Sequence, residues 1–207
     1  MVQFITLPDF SEYEDTIKLM EFKVNQVINK LLEGVVYLVE YKEVYTAGTS
    51  FKEEELLDPR DIAVIYTGRG GGFTYHGKGQ RVIYPILDLS SQRCQKDLKL
   101  YIRLLEQWII SSLLHYGIKA FTVENKIGVW VKENGSPAKI ASIGVRVKKW
   151  VAYHGIAVNI STNLKNFEGI IACGLKGLPI TSLKKLGVDV TLAQFDQVIE
   201  DNFNKFL

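Results

Sequence analysis

Apolar residues Tyr13, Ile17, Met20, Val24, Val27 and Leu31 recur at helical spacing between Ser11 and Gly34, which predicts an amphipathic helix. Ser11 and Glu14 make a capping-box pattern at its start, and Gly34 supplies a stop. The pattern then turns β-branched and aromatic. VVYLVEYKEVYTAG (35–48) reads as one strand ending in a glycine turn, DIAVIYT (61–67) as a second and VIYPILDL (82–89) as a third. Between Lys96 and Tyr116, Leu98, Ile102, Leu105, Ile109 and Leu113 mark one face of a second helix, with Gly117 beyond its end. From Phe121 the runs FTVEN, IGVWVKEN, KIASIGVRV and WVAYHGIAVNI, punctuated by turn residues such as NGSPA, predict an antiparallel meander. A last helix starts at Thr191 and Gln194, a second capping pair, and carries the stripe Leu192, Phe195, Val198 or Ile199, and Phe203. Helices at both ends and in the middle, with antiparallel runs between, predict an α+β fold: a mixed, largely antiparallel sheet with packed helices, in one domain over 1–207.

Composition narrows the function only by exclusion. The chain is 47% hydrophobic and 23% charged, ordinary for a globular protein. A net charge of +2 with scattered basic residues gives no footprint for nucleic acid. No apolar run reaches the length of a membrane span and the N-terminus has no signal-peptide pattern, so a cytoplasmic protein is expected. Two cysteines, Cys94 and Cys173, are expected to be free thiols.

Candidate chemistry begins at Arg69. Gly70, Gly71, Gly72, Gly77 and Gly79 follow it within eleven residues. Such density serves either a pair of tight turns or close approach of a ligand to backbone N–H groups. Neither a Walker sequence nor a dinucleotide fingerprint is present in the right context. Cys173, in GIIACGL, is either a buried inert thiol or a nucleophile, and Gly174 after it would open access to the sulfur and free N–H groups for an oxyanion. A nucleophilic cysteine needs a cation or base, and Lys139, His76, His154 and His115 are the candidates. Cys94 lies among polar residues and is read as incidental, His115 as a helix cap.

Taken together, RGGGFTYHGKGQRVIYPILDL, KIASIGVRVKKWVAYHGIAVNI, FEGIIACGL and, more weakly, VEYKEVYTAGTS resemble the lipoyl(octanoyl) transferase family, within the biotin and lipoate protein ligase fold group. The resemblance spans about Val35 to Leu178. It implies transfer of an octanoyl group from acyl carrier protein to a lysine of a lipoyl domain through a cysteine thioester, the first step of protein lipoylation. It places Cys173 as nucleophile and Lys139 as the residue that favours its thiolate. It also places Arg69, Gly70, Gly71, Gly72, Phe73, Thr74, Tyr75 and His76 around the acyl pocket. Ser142, Ile143, Gly144, Gly155, Ile156 and Ala157 complete that pocket, with His154 and Gly174 in supporting places. The chain departs from the family pattern at Lys78, where proline is usual, and at Tyr41, Lys42 and Glu43, where a His-Pro-Pro-like run is usual.

The implied donor is octanoyl-acyl carrier protein, and the implied acceptors are lipoyl domains of 2-oxoacid dehydrogenase E2 subunits and the glycine cleavage H protein. No metal or organic cofactor, nucleic acid or membrane is implied, and the chain is expected to act as a monomer. Arg146, Lys148, Lys149, Lys96 and Lys99 could meet an acidic carrier or form a plain solvated face. Three other readings stay open: an ATP-dependent lipoate or biotin ligase, a non-catalytic acyl-carrier or lipoyl-domain binding module, and a hydrolase pairing Cys173 with His154 or His76.

Overall fold

The computed structural model describes residues 2–90, 93–174 and 177–207, and of Cys173 the backbone alone. Among the described residues, ten strands and three α-helices follow in the order β1 (Gln3–Thr6), α1 (Tyr13–Ile28), β2 (Gly34–Val39), β3 (Val44–Ala47), β4 (Ala63–Tyr66), β5 (Phe73–His76), β6 (Gln80–Asp88), α2 (Leu98–His115), β7 (Ala120–Val123), β8 (Lys126–Glu133), β9 (Ser136–Lys148), β10 (Val151–Asn159) and α3 (Leu192–Phe206). Short 3₁₀ turns at Glu53–Glu55, Leu164–Gly169 and Ala172–Gly174 complete the described elements.

Seven strands form one sheet in the order β1-β2-β6-β10-β9-β8-β7, antiparallel except for the β1–β2 edge pair. Strand alternation divides its side chains between two apolar layers. Val35, Tyr37 and Val39 of β2 pack with Tyr13, Met20, Val24 and Val27 of α1, whereas Val36 and Leu38 join Leu105, Trp108 and Ile109 of α2 and Phe195, Ile199 and Phe203 of α3. A three-stranded sheet, β4-β3-β5, packs with Phe167, Ile170 and Ala172 in a third cluster. The α+β class and the meander of β7 to β10 are as the pattern predicts. Among the described residues no helix is long and apolar enough to cross a membrane.

Several boundaries differ from the sequence reading. The run 35–48 is two strands in two sheets, because the chain turns at Glu40–Glu43. Glu40 is buried there and its Oε1 accepts the Gly79 N–H at 2.7 Å, while Tyr41 turns into the α1 layer. The Ser11 cap does not form: Ser11 Oγ donates to Pro8 O, Ser11 bridges Tyr41, and the helix N-cap is Glu12 without a side-chain bond. The helix stops at Asn29 and Lys30, whose φ is 59°, so Leu31 lies outside it and is exposed, and Gly34 opens β2. β1 and β5 were missed, both being only four residues long. The second capping signal marks a true helix start, with a complete Thr191–Gln194 box capping α3, whereas the cap of α2, Asp97, was not read from the sequence.

Two irregularities of the large sheet fall beside the cavity-lining strands. Pro85 in β6 has no N–H for a ladder, and opposite it the β6–β10 pairing lapses between Ala152 and Ile156, where His154 takes φ 57°. In β9, Ile140 is an extra residue: Val129 pairs with Ala141 but Trp130 pairs with Lys139. Such a bulge re-aims the side chains beside it.

Candidate functional site

The β9 bulge directs Lys139 inward. The residue is only 4% exposed, which decides against a solvated lysine at a strand start. Its Nζ lies 5.3 Å from the centre of the buried Trp130 ring, within cation–π range. Its stem passes over Gly128: a methyl group there would stand 2.5 Å from Lys139 Cε and 2.6 Å from Ala141 O, and φ is +124°, so only glycine fits. Glu106 of α2 fixes this point by accepting the Gly128 N–H at 3.0 Å.

The backbone brings the cysteine segment to the same place. Ile171 N–H donates to Glu55 O at 2.7 Å and Leu56 bridges Ile170, which ties the chain ahead of Cys173 to the Glu53–Glu55 turn. Beyond it, Lys139 N–H donates to Pro179 O at 2.8 Å and Thr181 N–H to Lys139 O at 3.0 Å. The segment that follows Cys173 in the chain is therefore sewn to Lys139 at Pro179 and Thr181. The Cys173 side chain lies outside the described residues, and its role stays an expectation. Gly174 takes φ 67°, and its N–H reaches Ile171 O at 3.4 Å.

A cavity of about 400 Å³ lies against these residues, ordinary in size for a small-molecule site. Its lining includes Arg69, Gly70, Gly71, Gly72, Phe73, Thr74, His76, Lys139, Ser142, Ile143, Gly144, Gly155, Ile156 and Ala157, which joins residues far apart in the chain. Val82, Tyr84, Leu98, Ile102 and Val145, with the turn Asn125–Ile127, complete it. Sequence reading missed this second group. Leu98 and Ile102 carry the apolar stripe of α2 past the core, so the same periodicity that marks a core face also supplies a pocket wall. Tyr75 is turned away. Strand alternation sends it opposite to Thr74 and His76, where its hydroxyl donates to Glu43 Oε1 at 3.0 Å and accepts from Asn166 Nδ2 at 2.8 Å.

The glycine turn is braced from beneath by Arg69. Its Nη2 donates to Thr46 O and Oγ1 at 2.6 and 2.7 Å, Nε to Thr46 Oγ1 at 3.2 Å and Nη1 to Gly70 O at 3.0 Å. Gly48 and Ser50 N–H groups donate to Gly72 O and Gly71 O, both at 3.1 Å, and Thr49 N–H to Arg69 O at 2.8 Å. This is why the TAGTS stretch accompanies RGGG. The turn reading holds at Gly71 and Gly79, which take positive φ, and at Gly72 the space a side chain would need is taken by the carboxylate of Glu55.

Both interior histidines are neutral near pH 7. Burial lowers His76 to about 3, with Gln80 opposing and Arg69 reinforcing the shift. His154 is also lowered to about 3, first by burial and then by Arg69, Arg146 and His76. His76 Nδ1 donates to Gln80 Oε1 at 2.7 Å, and Gln80 Nε2 donates to Tyr75 O and Asn159 Oδ1, which fixes the amide and leaves His76 Nε2 as an acceptor. His154 does not line the cavity; its ring sits edge-on to Tyr84 at 5.9 Å. Neutral, buried imidazoles of this kind fit a pocket wall and disfavour the imidazolium–thiolate pair of a cysteine hydrolase. Tyr41 does not reach the cavity either: it lies behind Tyr84, with their hydroxyls 3.2 Å apart, and against Tyr13, whose ring stacks on His76. Cys94 is buried in the core and His115 ends α2.

The fold is shared with lipoate and biotin protein ligases. A bipartite lipoate protein ligase from Thermoplasma acidophilum, solved in a study of its lipoylation system with an E2 lipoyl domain, superposes with a TM-score of 0.73 at 14% identity, over 99% of this chain and 82% of that one. A lipoate-protein ligase A bound with ATP gives 0.71 at 16%, over 99% and 84%. The model of the lipoyl protein ligase A/B catalytic domain matches residues 12–204, and the chain belongs to that family. Within it, the octanoyltransferases of Rickettsia conorii and Rickettsia canadensis are 59% and 58% identical over 206 residues, covering 99% of this chain and 99% of theirs.

Proposed function

We propose that this protein is an octanoyltransferase of protein lipoylation that works through a thioester on Cys173. Octanoyl transfer follows from full-length identity to the octanoyltransferases. The observation that supports the covalent route is the backbone stitching of Lys139 to the segment after Cys173, at the edge of an apolar cavity.

In the first half-reaction the Cys173 thiolate, favoured by the nearby Lys139 cation, attacks the thioester carbonyl of octanoyl-acyl carrier protein; the old C–S bond breaks, and the departing carrier thiolate takes a proton from Lys139, whose amine is left neutral for the second half-reaction. Oxyanion donors are the N–H groups of Gly71 and Gly72, which make no hydrogen bond among the described residues. Six methylenes in the cavity contribute about 5 kcal/mol before the costs of binding. In the second half-reaction the acceptor lysine of a lipoyl domain takes the octanoyl group as an amide, on E2 subunits and the H protein, and Lys139 in its neutral form accepts a proton from the incoming amine. The basic stretches around Lys96–Lys99 and Arg146–Lys149 meet at Leu89, which accepts from Lys96 N–H at 2.8 Å and donates to Trp150 O at 2.7 Å, and offer a face for the acidic carrier. The chain acts as one monomeric catalytic domain.

The test is transfer without ATP. Mixed with octanoyl-acyl carrier protein and a lipoyl domain, the protein should add one octanoyl mass to the domain, and Cys173→Ala should abolish this. Transfer only from free octanoate with ATP, surviving Cys173→Ala, would instead mark a ligase.

A further inference from the structure

Glu55 is 7% exposed, yet its Oε2 is buried without a hydrogen-bond partner among the described residues, and no ion pair of Glu55 occurs there. A buried carboxylate oxygen left unpaired is costly, so a cation or donor is owed to it during the working cycle. Its place is specific. A methyl group on Gly72, which lines the cavity, would stand 2.9 Å from Oε2, and one on Gly174, next to Cys173, would stand 3.3 Å from Oε1. The carboxylate thus sits where the glycine turn meets the cysteine turn, and the Ile171 N–H on Glu55 O holds the three segments together.

We propose that Glu55 receives the ammonium of the acceptor lysine and delivers it to the acyl-enzyme; this rests on the covalent reading of Cys173. The donor offers nothing for a carboxylate, since its thioester is neutral and its linking phosphodiester is anionic. The acceptor is the one reactant that arrives as a cation. The ammonium docks on Glu55 and gives one proton to the neutral Lys139 amine. Nitrogen then bonds to the acyl carbon, the C–S bond breaks with its electron pair leaving on Cys173 sulfur, and the second nitrogen proton passes to that thiolate or to solvent.

The experiment compares wild type with the isosteric Glu55→Gln in two steps. Acyl-enzyme is first formed from octanoyl-acyl carrier protein, then discharged either by a lipoyl domain or by hydroxylamine, which is uncharged at neutral pH. Acyl-enzyme should form alike in both proteins, with discharge to the lipoyl domain slowed about tenfold to a hundredfold in Glu55→Gln, as for loss of a charge-assisted bond, and its KM raised. Discharge by hydroxylamine should stay within about twofold of wild type. Equal slowing with both nucleophiles, slower acyl-enzyme formation, or unchanged transfer to the lipoyl domain would overturn the assignment. No adduct on wild type would overturn the covalent reading and the role of Glu55 with it, a result distinct from the others.

Discussion

Lys139 owes its position to a residue that carries no side chain. Because a methyl group on Gly128 would stand 2.5 Å from Lys139 Cε, Gly128→Ala should push the amine out of place while Lys139 itself is intact. A displacement of about 1 Å at a reacting group costs about a hundredfold in rate, so octanoyl transfer should fall by that order with circular dichroism still reporting a folded protein. Wild-type turnover in a folded Gly128→Ala protein would contradict this geometry. Lys139 was legible as a cation in an unusual apolar run, but Gly128 was not, since its need arises from a bulge whose register is set by strands far apart. Glu55 was invisible for the opposite reason: within Lys52–Glu55 it reads as one more solvated charge, and only folding buries it. Tyr75 was assigned to the pocket because the motif was carried as a block; the period of two along β5 already separates it from Thr74 and His76.

At the level of elements, local signals held where the partner is local and failed where another strand competes. Thr191 and Gln194 satisfy each other across one turn: Thr191 Oγ1 accepts the Gln194 N–H at 3.2 Å, and Gln194 Oε1 accepts the Thr191 N–H at 2.9 Å. Thr191→Ala should lower unfolding free energy by about 0.5 to 2 kcal/mol in urea titration, with transfer activity unchanged. A stability equal to wild type would show the box to be idle. Ser11 had the same pattern and lost it to Tyr41 and Pro8, a competition that helix periodicity cannot display. The split of 35–48 into β2 and β3 has a similar origin, in the Gly79 N–H that claims Glu40 from across the sheet.

The whole molecule buries two histidines in neutral form, and this gives its stability a pH dependence. Unfolded, each binds a proton as pH falls through about 6.5; folded, neither does until about 3. The unfolded state then holds more protons, and stability falls as pH drops, by about 2 kcal/mol per histidine between pH 6.5 and 5. Asp196 works the other way. Burial raises it to about 6 against the attraction of Arg81, whose Nε lies 2.7 Å away, so its contribution grows as pH falls and offsets about 1 kcal/mol of the loss. The urea midpoint should therefore be clearly lower at pH 5 than at pH 7, and equal midpoints would contradict the neutral, buried imidazoles. The architecture that buries them, with α1 on one face of the sheet and α2 and α3 on the other, was legible as a class from periodicity. The strand order was not, because the β1–β2–β6–β10 pairings join segments with no local signal for one another.

The central claim is that the octanoyl group rests on Cys173 between donor and acceptor. Intact-protein mass spectrometry of wild type and Cys173→Ser, mixed with octanoyl-acyl carrier protein alone and without ATP, tests it most directly. One octanoyl adduct on wild type, removed by hydroxylamine, mapped to Cys173 and absent as a hydroxylamine-labile thioester in Cys173→Ser, is the predicted result. A folded wild-type protein that transfers octanoyl to a lipoyl domain yet never carries such an adduct would contradict it.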